Sequence, residues 1–275
     1  MNESDLMTQT NVYFKKLFRI NMREKSWKYL IFALIISMLV ALIVGPDMFG
    51  NFDTTNSGFF TLASACIWIG IFNSIQSICK EHEIIRAEYR QGLRISSYVF
   101  AHLLWQALLC LAQTIIIFVV CCIWMQFDKS AHLLISAYVE NFITIYLLTF
   151  SAAVLGLMIS AISGTPTTAM TIMPFVLIIQ LVMSGVLFIL SGASEVFSYF
   201  TLSRWGMAAF GCEADLFHMP TGVQQVDPMF NNPMNSDFYK PEVLRLFAAW
   251  FAIIGITIFN TFVCGLALKI KNRDS

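Results

Sequence analysis

NFITIYLLTFSAAVLGLMISAISGTPTTAMTIMPFVLIIQLVMSGVLFILSGAS occupies residues 141–194 and holds no Asp, Glu, Lys or Arg. One helix through all of it would overshoot any bilayer, since roughly 20 residues cross the hydrocarbon core. Ser163-Gly164-Thr165-Pro166 divides it, because Gly and Pro end one helix and turn the chain into the next. The stretch therefore reads as two membrane segments, one from about Ala131 to Ile162 and one over Thr167–Ser191.

Four further apolar segments lie outside it: Tyr29–Val44, Gly58–Ile78, a segment within Ile95–Phe127, and Leu246–Leu268. Unpaired backbone groups are too costly in lipid, and no strand alternation is visible, so the segments are helical. Composition agrees: 57% of residues are hydrophobic and 12% charged, against roughly 25% charged in a soluble domain. The expected fold is an all-α polytopic membrane protein of six transmembrane helices, in a single domain over 1–275. The polar start, with Glu3 and Asp5, and the late onset of the first apolar run do not resemble a secretory signal.

Basic residues set the expected orientation. Lys15, Lys16, Arg19, Arg23, Lys25 and Lys28 precede the first span. Lys80, Arg86, Arg90 and Arg94 lie between spans two and three, and Lys269, Lys271 and Arg273 follow the sixth. An even span count puts all of these on one side, leaving Lys129, Arg204, Lys240 and Arg245 on the other. Both termini are thus expected in the cytoplasm of a multi-pass cell-membrane protein. The large connection 192–242 between spans five and six is then external, with Glu195, Glu213, Asp215, Asp227, Asp237 and Glu242. In segment 11–26, Tyr13, Phe14, Leu17, Phe18 and Ile20 share one helical arc, and Lys15, Lys16, Arg19 and Arg23 the other. That pattern suits an interfacial helix on the inner leaflet, with a solvated basic tail as the alternative.

No catalytic residue and no resident cofactor is expected. The sequence has no GxxxxGK[ST] loop to cradle phosphates, no HExxH and no GxSxG elbow. His82, His102, His132 and His218 are scattered, unlike a metal set, and net charge is zero, so there is no basic footprint for nucleic acid. The cysteines sit mostly in apolar runs and read as packing residues; Cys212 alone lies in a polar connection, either as a free thiol or as a bridge between subunits.

The connection Cys79-Lys-Glu-His-Glu-Ile-Ile-Arg-Ala-Glu-Tyr-Arg-Gln-Gly92 is charged and helical in character. Taken alone it is either a docking surface for a soluble partner or a solvated loop. Glu81 to Tyr89, then Gly92, then Ser96-Ser97-Tyr98, resembles the coupling region of ABC transporter type-2 membrane domains, nearest to the G subfamily of ABC exporters. Met183-Ser184-Gly185-Val186-Leu187 is similar to that family's Ser-Gly-Leu-Leu motif. Leu202-Ser203-Arg204-Trp205-Gly206-Met207, followed by Glu213, resembles its external Ser-Xaa-Arg-Tyr motif. Unlike that subfamily, this sequence carries no fused nucleotide-binding domain.

The resemblance implies a permease subunit of an ATP-driven exporter. A second copy would complete the pathway in membrane lipid, and two ATP-binding subunits, which bind the ATP and Mg, would dock below. The coupling segment 80–94 would use Glu81, Glu83, Arg86, Glu88, Tyr89 and Arg90. On span two, Ile69, Phe72, Asn73 and Gln76 either line a substrate cavity or pack helices together. The resemblance adds Ile178 and Leu181 to that cavity and makes Val186 and Leu187 an outer gate. Pro174 is a hinge or a bend, and Glu140, about two turns inside span four, snorkels, pairs with a cation or carries a proton. An ATP-independent channel or scaffold is the other function that this composition fits.

Accessibility labelling of single cysteines checks the topology: position 90 should react from the cytoplasmic side and position 230 from outside. Reaction of both from one side would reject six spans.

Overall fold

The computed structural model describes residues 3–23, 27–125, 133–134, 136–188, 190–221 and 239–273. Among them all regular structure is helical. The amphipathic helix α1 (Glu3–Arg23) precedes α2 (Trp27–Val44) and α3 (Phe52–Ser74). A 3-10 turn at Cys79–Glu81 leads into the short α4 (His82–Arg90). Then follow α5 (Ile95–Trp124), α6 (Ala137–Ile162), α7 (Pro166–Val182), α8 (Ala193–Ser198), α9 (Leu202–Glu213) and α10 (Val243–Arg273). Labelling position 230 lies outside the described residues, as do Lys25, Lys129, His132, Asp227 and Asp237.

Among the described residues, five helices carry stretches long and apolar enough to cross a membrane, those of α2, α3, α5, α6 and α10. The expected fifth span is shorter than Thr167–Ser191: α7 stops at Val182 after 17 residues. At 1.5 Å per residue that is about 26 Å, just under a hydrocarbon core of roughly 30 Å. The chain turns at Gly185, whose φ of +80° suits glycine, and the Arg204 guanidinium fills the space where a side chain would stand. The break between α6 and α7 falls where the sequence puts it. Thr165 caps α7, its hydroxyl accepting from Thr168 N at 3.2 Å, and Pro166 occupies the first turn, where a missing N–H is harmless.

At the centre α3 lies directly on α6. A Cβ on Gly70 would stand 2.3 Å from Thr149 O, and one on Gly156 would stand 2.2 Å from Ser74 Oγ. Small residues on both helices let the backbones meet, the usual device where lipid gives apolar side chains no preference for protein. Polar contacts then lock the pair. Ser74 Oγ donates to Ala153 O at 2.6 Å, and Ser160 Oγ accepts from Ile78 N and Cys79 N, both at 3.0 Å.

α10 packs on the other side of α6, where Thr257 Oγ1 donates to Ser151 Oγ at 2.8 Å. α5 shows the membrane pattern plainly. Tyr98, His102, Trp105, Gln106, Leu109 and Gln113 are buried, whereas Phe100, Leu104, Leu108, Leu111 and Ile115 are exposed on the opposite face.

One end of the bundle, here the basic end, gathers α1, α4, the α6–α7 turn and the last turn of α10. The far end gathers the starts of α3, α6 and α10 around α9. Within the acidic connection 192–242, α9 is packed into the bundle: Met207, Phe210, Cys212 and Glu213 are fully buried, and Phe210 stacks on Phe59 at 4.9 Å. Gln180 Oε1 holds the start of α9 by accepting from Leu202 N and Ser203 N at 2.9 and 3.2 Å.

Gly70→Ala should lower detergent-state stability by about 2 kcal/mol or more, because backbone atoms rather than flexible side-chain ends must give way. Gly164→Ala, where a Cβ meets nothing within 4 Å, should leave melting unchanged. Equal melting of both variants would contradict the close approach of α3 and α6.

Candidate functional site

Two features carry chemistry: the α4 segment at the basic end, and the polar face at the lower half of α3. In α4, Ile85 and His82 are buried, while Glu83, Ile84, Ala87 and Arg90 are exposed. Positions 83, 87 and 90, with 84 beside them, share one face at helical spacing. The opposite face is held by the chain itself. Glu88 accepts from the Tyr13 hydroxyl at 2.6 Å and from Lys16 Nζ at 2.8 Å, both on α1. Burial and the bond to Glu88 push the Tyr13 phenol above its usual range. Tyr13 also meets Tyr98 edge-on at 5.9 Å. The α1 aromatic arc, expected against lipid, is thus partly spent on α4 and α5; Phe18 likewise meets Trp105 at 5.9 Å.

Of the sequence-predicted coupling residues, then, Glu83 and Arg90 face out, with Arg86 and Tyr89 half-exposed, and Glu88 faces in. Arg86 Nη1 stands 3.7 Å from the exposed Glu83, a weak surface pair. Glu81 also faces in, accepting from the Tyr98 hydroxyl at 2.9 Å with His102 Nε2 3.9 Å away. A second clasp was not visible in sequence. Lys271 Nζ, at the end of α10, donates to Ser163 O at 2.8 Å and lies 2.9 Å from His82 Nε2. It ties the first residue of α4 to the α6–α7 turn. Charged residues at helix ends are too common for spacing to reveal such a contact.

On α3, Asn73 is a packing residue in part. Its Nδ2 donates to Gln113 Oε1 at 2.6 Å, and Gln113 Nε2 returns a bond to Asn73 Oδ1 at 3.1 Å. Gln113 was missed by sequence reading, although an uncharged polar residue deep in a span is the one available signal. Ile69 is buried, and Phe72 is exposed on one side and stacked on Phe32 of α2 at 5.8 Å.

Two cavities adjoin this face. One, of about 450 Å³, lies between α2, α3 and α5 and is lined by Ile36, Trp68, Ile69, Phe72 and Asn73 among others. The second, of about 480 Å³, opens between α1, the end of α3, α4 and α5, and includes Gln76, Lys80, Glu81 and His102. Ile178, Leu181, Val186 and Leu187 line neither. Ile178 and Leu187 are exposed, Leu181 is half-buried, and Val186 packs partly on the core.

Residues 8–210 match the family described as ABC-2 type transporter. The chain belongs to that family. It is therefore a membrane permease protein, and its charged α4 and polar α3 face lie within the matched region. Over 159 residues it is 26% identical to an ABC transporter ATP-binding/permease protein of Mycobacterium tuberculosis, a match covering 57% of this chain and 18% of that protein. The chain thus aligns with less than a fifth of this much longer relative.

Acidic and thiol groups at the far end differ from their sequence reading. Glu140 lies in the first turn of α6, not two turns inside, because the helix starts at Ala137. It is buried, does not snorkel, and accepts from Leu133 N and Leu134 N at 3.1 and 2.6 Å. Glu213 accepts from Thr144, which in turn accepts from Trp250 Nε1 at 2.8 Å. Burial raises the Glu213 carboxyl well above its usual range. Cys212 is a buried free thiol donating to Lys240 O at 3.2 Å, so it is not displayed for a bridge between subunits. Burial first, then the neighbouring Glu213, pushes it up to about 12. Among the described residues no group of three His, Cys, Asp or Glu is placed to hold a metal.

Glu88→Ala removes both clasp bonds to α1, together worth about 1–2 kcal/mol. Amide exchange across residues 3–23 should then rise by roughly fivefold or more, with little change in global melting. Unchanged exchange would show that α1 is held by its aromatic contacts and its bonds to Arg94 and Ser97.

Proposed function

We propose that this chain is the membrane half of an ATP-driven exporter. Two copies would form the substrate pathway, with separate ATP-binding subunits docked at the basic end, in the cytoplasm. The observation that carries the reading is the two-sided α4. Its inner face is bonded to α1, α5, the α6–α7 turn and α10, while Glu83, Ile84, Ala87 and Arg90 face outward. A displacement applied to that outer face reaches three helices and the α6–α7 turn through short polar contacts.

In this reading an ATP-binding partner supplies the phosphate-cradling loop that residues 1–275 do not contain. The relative's name joins ATP-binding and permease functions in one protein, which supports the pairing. The second copy would use the exposed apolar side of α7, with Phe175, Ile178 and Ile179. There Ile178 and Leu181 would meet the cavity face of α3 across a two-fold axis, with Val186 and Leu187 as the gate beyond.

An ATP-independent channel or scaffold makes no use of an outward-facing α4, so the two readings separate at that face. Ile84→Asp combined with Arg90→Glu should cut co-purification of the ATP-binding subunit by about tenfold or more, roughly 1.4 kcal/mol, while melting of the chain alone stays put. Full retention of the subunit, with transport intact, would rule the docking face out.

A further inference from the structure

At the basic end a groove separates the start of α5 from the end of α10. Val99 and Leu103 line it from α5, and Thr261, Gly265 and Lys269 from α10. Both sets step by four residues, so each helix presents one face to the groove. Phe100 and Phe262 line it from the two helices and are exposed, which sets the groove on the outer surface of the bundle. From Ile95 to Leu103 it follows α5 for about 12 Å, at 1.5 Å per residue. Its volume of about 370 Å³ is within the usual range for ligand sites, roughly 300–1,000 Å³. Gly265 keeps it open: a Cβ there would meet nothing within 4 Å.

The two ends of the groove differ in chemistry. Leu103 and Thr261 mark the deeper end, where Thr261 spends its hydroxyl on Thr257 O at 2.8 Å. At the other end, where α5 starts and α10 finishes, Ser96 and Lys269 line the groove, and both are exposed. Arg94 immediately precedes the lining residue Ile95, and no acidic residue lines the groove. An apolar trough that ends in a cationic, hydroxyl-bearing mouth at membrane-surface height complements one acyl chain beneath an anionic head.

We propose that this groove holds an anionic glycerophospholipid of the basic-end leaflet, of the phosphatidylglycerol type. The phosphate meets Lys269 and Ser96, and an acyl chain lies over Gly265 beside Phe100 and Phe262. A choline head brings its own cation to Lys269 and loses that advantage. The groove is formed by α5 and α10, away from the α3 face and from α7, so the lipid is a fixed component of the fold and not cargo. It joins the two helices that hold α4 from either side: Tyr98 of α5 donates to Glu81, and Lys271 of α10 lies 2.9 Å from His82 Nε2.

The test is native mass spectrometry of the purified full chain, with no ATP-binding subunit present, so its outcome is separate from that of subunit capture. Phosphatidylglycerol should bind about fivefold more tightly than phosphatidylcholine with the same acyl chains, the worth of one basic residue facing an anionic lipid. Lys269→Gln, at an exposed position, should bring phosphatidylglycerol to the phosphatidylcholine value. Gly265→Phe, which fills the groove, should weaken phosphatidylglycerol binding by about tenfold or more. Gly255→Phe is the matched control: it lies on the same helix outside the groove, and a Cβ there also meets nothing within 4 Å. It should bind as the parent does. Equal affinity for the two lipids in the parent chain would overturn the proposal. So would parent-like binding in either Lys269→Gln or Gly265→Phe, or an equal loss in the two glycine variants.

Discussion

The close approach of α3 and α6 is the constraint from which the other contacts follow. Lipid is as apolar as leucine, so burying apolar side chains between two membrane helices gains little; close backbone packing and polar bonds must hold them. Gly70, Ser74, Ala152, Ala153 and Gly156 provide the approach, and Ser74 and Ser160 provide the bonds. Once this pair is fixed, α10 has a second face of α6 to pack on, through Ser151 and Thr257. The far end closes over the same pair, with α9 set between them by Phe210 and Thr144.

That rigid centre extends directly into the basic end. Ser160 of α6 accepts from the backbone at Ile78 and Cys79, the point where α3 gives way to the turn leading into α4. His82, the next contact along, joins Lys271 at Ser163, and Glu88 closes the far end of α4 onto α1. A nine-residue helix would not hold its shape alone in water. Here it is held by contacts with its neighbours, which is also what makes its outer face a defined surface.

Several polar residues inside the spans are met by a neighbour. Asn73 and Gln113 satisfy each other, Glu140 is met by two backbone N–H groups, and Gln180 caps α9. Such pairs convert a desolvation penalty into a geometric restraint, since an unmet amide in hydrocarbon would be costly. Not every such group is met: both His102 ring nitrogens and Thr114 Oγ1 are buried without a hydrogen-bond partner among the described residues.

Much of the architecture was legible in local sequence. The apolar runs, the break at Ser163–Pro166, the amphipathic α1 and the charged α4 depend on composition and periodicity over short windows, and they survive in three dimensions. The site was legible only in outline. Glu88 and Glu81 belong to the charged segment 80–94, yet their carboxylates turn inward to Tyr13, Lys16 and Tyr98, partners on other helices. The length of α7, the burial of Glu213 and the partners of Asn73 likewise depend on which helices lie together. Hydrophobicity alone determined which segments enter the membrane, because lipid judges each segment by itself. Which face of each segment meets protein, and which polar group finds which partner, was decided by tertiary packing, because those energies exist only once two helices touch.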